Sequence, residues 1–174
     1  MSLVRVVARI VVAVDPPASS SKRADSCGIV AAGLDESGIA YVLEDATAAH
    51  LKPPEWAAKA VALYRRLEAD ALVVETNQGG EMATGVIREV DPRVPVASVR
   101  ATRGKYLRAE PVSVLYAQNR VRHVGAFPEL EDELCDFGPG GLSSGRSPDR
   151  MDALVWALTE LMLREKREPR VRVL

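Results

Sequence analysis

Three segments of this chain end or begin in acid, and together they carry the donor types of a metal-dependent hydrolytic centre. Asp15 closes the apolar run Arg9-Ile10-Val11-Val12-Ala13-Val14, and Glu75 closes Ala71-Leu72-Val73-Val74. Asp149 and Asp152 open the stretch Ser147-Pro148-Asp149-Arg150-Met151-Asp152-Ala153-Leu154-Val155-Trp156-Ala157-Leu158. Carboxylates that converge repel one another and so require cations; an all-oxygen donor set favours Mg2+ or Mn2+ over zinc. Two such ions about 3.5–4 Å apart suit phosphodiester cleavage. Each acid also has an ordinary explanation. A strand-end acid is commonly a solvated terminus. Acids in a first helical turn stabilise it by about 0.3–1 kcal/mol through the helix dipole. Ser147 as N-cap and Pro148 as first helical residue fit that explanation. It does not explain why three separate segments carry acid at sheet-end positions.

Basic residues gather in a different part of the chain. Residues 93–122 hold Arg93, Arg100, Arg103, Lys105, Arg108, Arg120 and Arg122 against one acid, Glu110. The acidic run Glu129, Glu131, Asp132, Glu133 and Asp136 follows, and the tail adds Arg164, Lys166, Arg167, Arg170 and Arg172. Acids to hold metal beside bases to hold a strand is what a phosphate backbone needs. The candidate DNA contacts are Lys22, Arg23, Gln78, Arg100, Arg103, Lys105 and Arg108. Such charge runs are also, commonly, solvated faces. His50 and His123 lie in neither acid motif and read as surface or packing residues, with His123 a weak candidate for DNA contact.

The elements that must position these residues are legible from periodicity. Residues 4–14 read as a strand buried on both faces. Residues 27–34 and 39–45 read as two strands of a hairpin around Asp35-Glu36-Ser37-Gly38. Residues 53–69 read as a helix opened by two prolines, with Trp56, Ala60, Tyr64 and Leu67 on one face. A strand at 71–76, a helix carrying Met82, Val86, Ile87 and Val90, and a strand at 94–99 follow. Pro95 places that last strand at an edge or a start. Residues 104–119 read as a helix that Pro111 must kink or restart. A short strand at 121–124, an acidic helix at 128–137, a Gly/Ser loop at 138–147 and a final helix from Ser147 to about Glu165 complete the chain. The order implies a mixed α/β sheet of five or slightly more strands with helices on both faces. Strands 4–14 and 71–76 should be parallel neighbours, with Asp15 and Glu75 side by side where open α/β sheets carry their sites.

Composition bounds the class. The chain has 174 residues, 47% hydrophobic and 27% charged, with net charge −1. That suits one globular domain spanning residues 1–174, with Met1-Ser2-Leu3 compatible with a cloning remnant and 166–174 a basic tail. No apolar run approaches 18 residues and no signal-peptide layout occurs, so no membrane partner and a cytoplasmic setting are expected. Cys27 and Cys135 have neither zinc nor disulfide spacing and read as buried small apolar residues.

Taken in order, Val12-Ala13-Val14-Asp15-Pro16-Pro17, Val73-Val74-Glu75-Thr76-Asn77-Gln78-Gly79-Gly80, Arg103-Gly104-Lys105 and residues 147–158 resemble the C-terminal nuclease domain of the large terminase subunit of tailed phages and gene-transfer particles. The resemblance covers nearly the whole chain. It implies a ribonuclease-H-like, resolvase-like fold and metal-dependent cutting of double-stranded DNA during genome packaging in the host cytoplasm. It implies two divalent cations, Mg2+ or Mn2+, on Asp15, Glu75, Asp149 and Asp152, with Asp152 weighted for direct metal contact. The partners it implies are a packaging ATPase domain, the portal and the small terminase subunit. One departure stands out. No Gly-x-x-x-x-Gly-Lys-Ser/Thr loop occurs, so the chain is expected not to turn over ATP and to be an excised domain or a stand-alone nuclease. The rival readings are an actin-like or sugar-kinase ATPase, for which the chain is too short, and a non-catalytic DNA-binding or motor-docking module.

Overall fold

Strand β1 (Val7–Asp15) is fully buried from Val11 to Val14, and its side chains feed two separate cores. This computed structural model describes residues 7–17, 26–76 and 81–164. Lys22, Arg23, Gln78 and the tail 166–174 lie outside the described residues. The remaining strands are β2 (Ser26–Asp35), β3 (Ala40–Asp45), β4 (Ala48–Ala49), β5 (Ala71–Glu75), β6 (Val96–Val99) and β7 (Val121–His123). The helices are α1 (Pro53–Arg66), α2 (Glu81–Val90), α3 (Lys105–Ala117), α4 (Pro128–Asp136) and α5 (Asp149–Leu158). The sheet is mixed and seven-stranded, in the order β6-β5-β1-β2-β3-β7, with the two-residue β4 paired to the start of β2. β1–β2 and β2–β3 are antiparallel, whereas β1–β5, β5–β6 and β3–β7 are parallel. The Pro95 strand does fall at an edge.

Side-chain alternation divides the core. Val12, Val14, Ile29, Leu72 and Val74 pack against α1 and α2 through Trp56, Ala60 and Ile87. Val11, Ala13, Val30, Ala32 and Val73 pack on the other face against α3, α4 and α5. Helices therefore cover both faces. Strand periodicity of two then decides where the strand-end acids point. Asp15 shares the parity of Val11 and Ala13, and Glu75 that of Val73, so both face the α5 layer. The register Val14↔Val74 makes them direct neighbours one position further on.

Three local expectations change. α3 runs unbroken for 13 residues through Pro111. Pro111 and Leu107 are both exposed, so the Leu107 carbonyl that loses its amide partner can reach water. The last helix starts at Asp149, with Pro148 rather than Ser147 at the N-cap, and passes into a π-helical turn at Thr159–Leu163. Cys27 is buried as expected, but Cys135 is exposed.

Gly28 on β2, paired with Asp15, faces α5. A Cβ there would lie 2.0 Å from the Asp149 carbonyl oxygen, so only glycine lets the helix start sit this close to the sheet. Gly28→Ala should therefore destabilise the protein by about 2–3 kcal/mol, the size of an overpacked core contact. Urea unfolding measures this, and a variant as stable as the parent would mean that the helix start is not seated on β2.

Candidate active site

The four acids reach the site from three elements. Asp15 and Glu75 arrive from the C-terminal ends of adjacent parallel strands, and Asp149 and Asp152 from the first turn of α5. The end of β5 is pinned to β6, because the Thr76 amide and hydroxyl both donate to the Val99 carbonyl, at 2.7 and 3.1 Å. Asp15, Glu75, Asp149 and Asp152 are all buried, Asp152 to 1% exposure. The charges of Glu75 and Asp152 both act on Asp15, and that of Glu75 on Asp152.

Cations from α3 compensate these acids. The Lys105 ammonium lies in ion-pair contact with Asp152 Oδ2 and donates to Ser147 Oγ at 2.9 Å. Arg108 bridges Glu75 Oε1 at 3.3 Å and Asp152 Oδ1 at 3.6 Å, and its guanidinium lies 4.8 Å from the centre of the Trp156 ring. Trp156 Nε1 donates to Glu75 Oε2 at 2.8 Å. Asp149 occupies the rim, where its Oδ2 accepts from the Ser26 amide at 3.0 Å. Neither Asp152 oxygen makes a hydrogen bond of ordinary geometry.

Lys105 and Arg108, candidate DNA contacts from sequence, lie against the acids. Arg108 is only 11% exposed, whereas Lys105 keeps 37%. Arg100 and Arg103 are exposed in the loop after β6, whose Val99 pairs with Glu75, so that loop leaves the sheet beside the acid cluster. His123 is engaged elsewhere: Nδ1 meets Glu131 at 2.9 Å and Nε2 meets the Tyr116 hydroxyl at 2.8 Å. Trp156 was not singled out from sequence, although its position four residues after Asp152 puts both on one helix face. Ser26, Gly28 and Ser147 gave no such signal.

The donor set suits a hard divalent cation: buried carboxylate oxygens only, with both Asp152 oxygens short of hydrogen-bond donors. The described acids do not converge into a finished metal cage. Lys105 and Arg108 stand where the compensating positive charge is needed.

Burial holds the Asp15 carboxyl well above the usual carboxylate range, and the charges of Asp152 and Glu75 add to this against Lys105. Burial also raises Asp152, against the pull of Lys105 and Arg108. Burial disfavours the Lys105 ammonium, but Asp152, Asp15 and Asp149 outweigh it and hold the pKa up. Raised carboxyls bind more protons in the folded than in the unfolded chain. Their contribution to stability is thus fully present below the unfolded value of about 3.9 and is lost as pH rises from there through the raised values. In EDTA at pH 8, Asp15→Asn should be more stable than the parent by about 1–3 kcal/mol, with a flatter pH profile of the melting temperature. A variant less stable than the parent at pH 8 would show that the Asp15 charge is not held at a cost.

The chain matches the family model of the Terminase RNaseH-like domain over residues 12–161. No curated protein matches it by sequence. Its structure is similar to the large terminase nuclease from thermophilic phage G20c, at TM-score 0.68 and 13% identity over 87% of this chain and 82% of that one. A variant nuclease domain of the large terminase subunit gp2 of bacterial virus Sf6, solved with manganese and beta-thujaplicinol, matches at TM-score 0.62 and 16% identity over 86% and 87%. The yeast mitochondrial Holliday junction resolvase matches at TM-score 0.52 and 12% identity over 84% and 75%. The fold is thus ribonuclease-H-like. The family match runs through both strands and the helix that bear the four acids, and the chain belongs to the Terminase RNaseH-like domain family.

Proposed function

We propose that this chain is a metal-dependent endonuclease that cuts double-stranded DNA during viral genome packaging, in the cytoplasm of the host cell. The observation that carries the reading is the placement of Asp15 and Glu75 as neighbours on parallel strands, both facing the helix turn that bears Asp152. Membership of the Terminase RNaseH-like family supports it. So do similar terminase nuclease domains solved with manganese, calcium and cobalt.

Asp15, Glu75 and Asp152 would hold two Mg2+ or Mn2+ ions, with Asp149 as a further ligand from the rim. Bound there, the ions would activate the attacking water and stabilise the leaving 3′ oxygen. Trp156 and Arg108 fix the Glu75 carboxylate from two sides. Lys105 holds charge balance at Asp152. With divalent ions on that carboxylate, its ammonium would be available to a phosphate. Arg100 and Arg103 extend basic charge outward from the site, and Lys22, Arg23 and Gln78 are further proposed DNA contacts. A packaging ATPase domain, the portal and the small terminase subunit are the proposed partners.

Supercoiled plasmid incubated with Mn2+ should pass to open and linear forms, and EDTA should stop it. Asp15→Asn and Asp152→Asn should lose nearly all cleavage. Asp149→Asn should lose less, because its carboxylate is partly committed to the Ser26 amide. Wild-type rates in Asp15→Asn would sink the nuclease reading and leave a non-catalytic DNA-binding or docking module. Binding without cleavage supplies a separate check. Arg103→Ala should weaken binding of all duplex sequences alike and reduce the log–log salt slope by about 0.9. An unchanged slope would remove the loop after β6 from the DNA surface.

A further inference from the structure

Helix α5 begins without a cap of its own. Pro148 stands at the N-cap and offers the first-turn amides no side-chain acceptor. A residue from another helix fills the gap. Glu133 Oε2 on α4 accepts from the Met151 amide at 2.9 Å. Met151 is the third helical residue, one of the two positions an ordinary N-cap side chain would serve. The other Glu133 oxygen lies 3.7 Å from an Arg150 guanidinium nitrogen, and Arg150 Nε donates to Asp45 Oδ2 at 2.9 Å. Asp45 closes β3 and also accepts from the Thr47 amide at 3.0 Å. The first turn is therefore gripped from two directions. Gly28 and Ser26 hold its Asp149 side, and Glu133, Arg150 and Asp45 tie its other side to α4 and β3. Burial raises the Glu133 carboxyl, while the Met151 amide and Arg150 oppose that rise.

We infer that Glu133 is a positioning residue for the acid cluster: through the Met151 amide, and with Asp45 through Arg150, it sets the helix turn from which Asp149 and Asp152 project. The inference rests on reading that cluster as a metal centre, which it deepens by naming what orients the helix-borne ligands. Glu133 acts through the helix.

Two readouts test it, and only one involves metal. In metal-free protein, hydrogen exchange of the Met151 amide should speed up more than about tenfold in Glu133→Ala, the scale of a lost cap. It should stay near the parent rate in Glu133→Gln, whose carbonyl still accepts that amide. Mn2+ affinity measured by calorimetry should fall about 10–100-fold in Glu133→Ala, as for other groups that orient metal ligands, and change little in Glu133→Gln. Val61→Ala, in the core on the opposite face of the sheet, is the control: it lowers the melting temperature and leaves Mn2+ affinity alone. Asp45→Asn keeps its acceptor for Thr47 but loses the charge facing Arg150, and should weaken Mn2+ binding by about three- to tenfold. It supplies the test should Glu133→Ala fail to fold. Parent-like exchange in Glu133→Ala, or unchanged Mn2+ affinity in both Glu133→Ala and Asp45→Asn, overturns the inference. A parent protein that binds no Mn2+ while the exchange contrast persists would overturn the nuclease reading and leave the cap in place.

Discussion

Buried like charge governs this structure. Asp15 and Glu75 sit at the ends of neighbouring parallel strands, on the face that α5 covers, with Asp152 fully buried beside them. Carboxylates in that setting are stable only if they take up protons or gather cations. Both tendencies are built into this fold. Burial lifts Asp15 and Asp152, and α3 delivers Lys105 and Arg108 into the cluster. Arg108 is almost as buried as the acids it serves, and the Trp156 ring lies beneath its guanidinium. A core that tolerates this arrangement draws its stability from elsewhere. Two apolar layers do so, built from opposite faces of the same strands.

The same requirement explains features that look unrelated. Gly28 is small because the start of α5 must sit on β2 for Asp152 to reach the strand ends. Thr76 ties β5 to β6 with two bonds to one carbonyl, fixing the strand end that carries Glu75. Ser147 surrenders the N-cap role and instead accepts from Lys105. Pro148 takes the cap position, and the amide it cannot serve is met by Glu133 across the helix layer. Local helix chemistry gives way to the placement of the acids.

Charge is also divided over the surface. The loop after β6 is basic and adjoins the acid cluster, whereas α4 carries acids without a single base. Some of that acid is structural: Glu133 serves α5, Glu131 meets His123, and Asp136 accepts from the Ser143 amide and hydroxyl. A polyanion approaching the cluster meets attraction on the β6 side and repulsion on the α4 side. That asymmetry gives the proposed DNA path a direction.

The sequence by itself determined the strand and helix order, the two-sided burial of β1, and the parallel pairing that makes Asp15 and Glu75 neighbours. These follow from hydrophobic periodicity and connection rules, which act over a few residues at a time. It also marked Asp149 and Asp152 as a pair on one helix face. Only the tertiary structure decided how those acids are compensated. Lys105 and Arg108 carry the same signature as Arg100 and Arg103, and nothing local distinguishes a cation bound for the interior from one left in solvent. Pro111 implied a break that its exposed position on α3 made unnecessary. Ser147-Pro148 implied a local cap, but the acceptor came from Glu133, 18 residues earlier than the amide it serves. Capping preferences are short-range rules. Contacts between Glu133 and Met151, or between Ser26 and Asp149, exist only once α4, β2 and α5 have packed together, and no spacing in the chain encodes them.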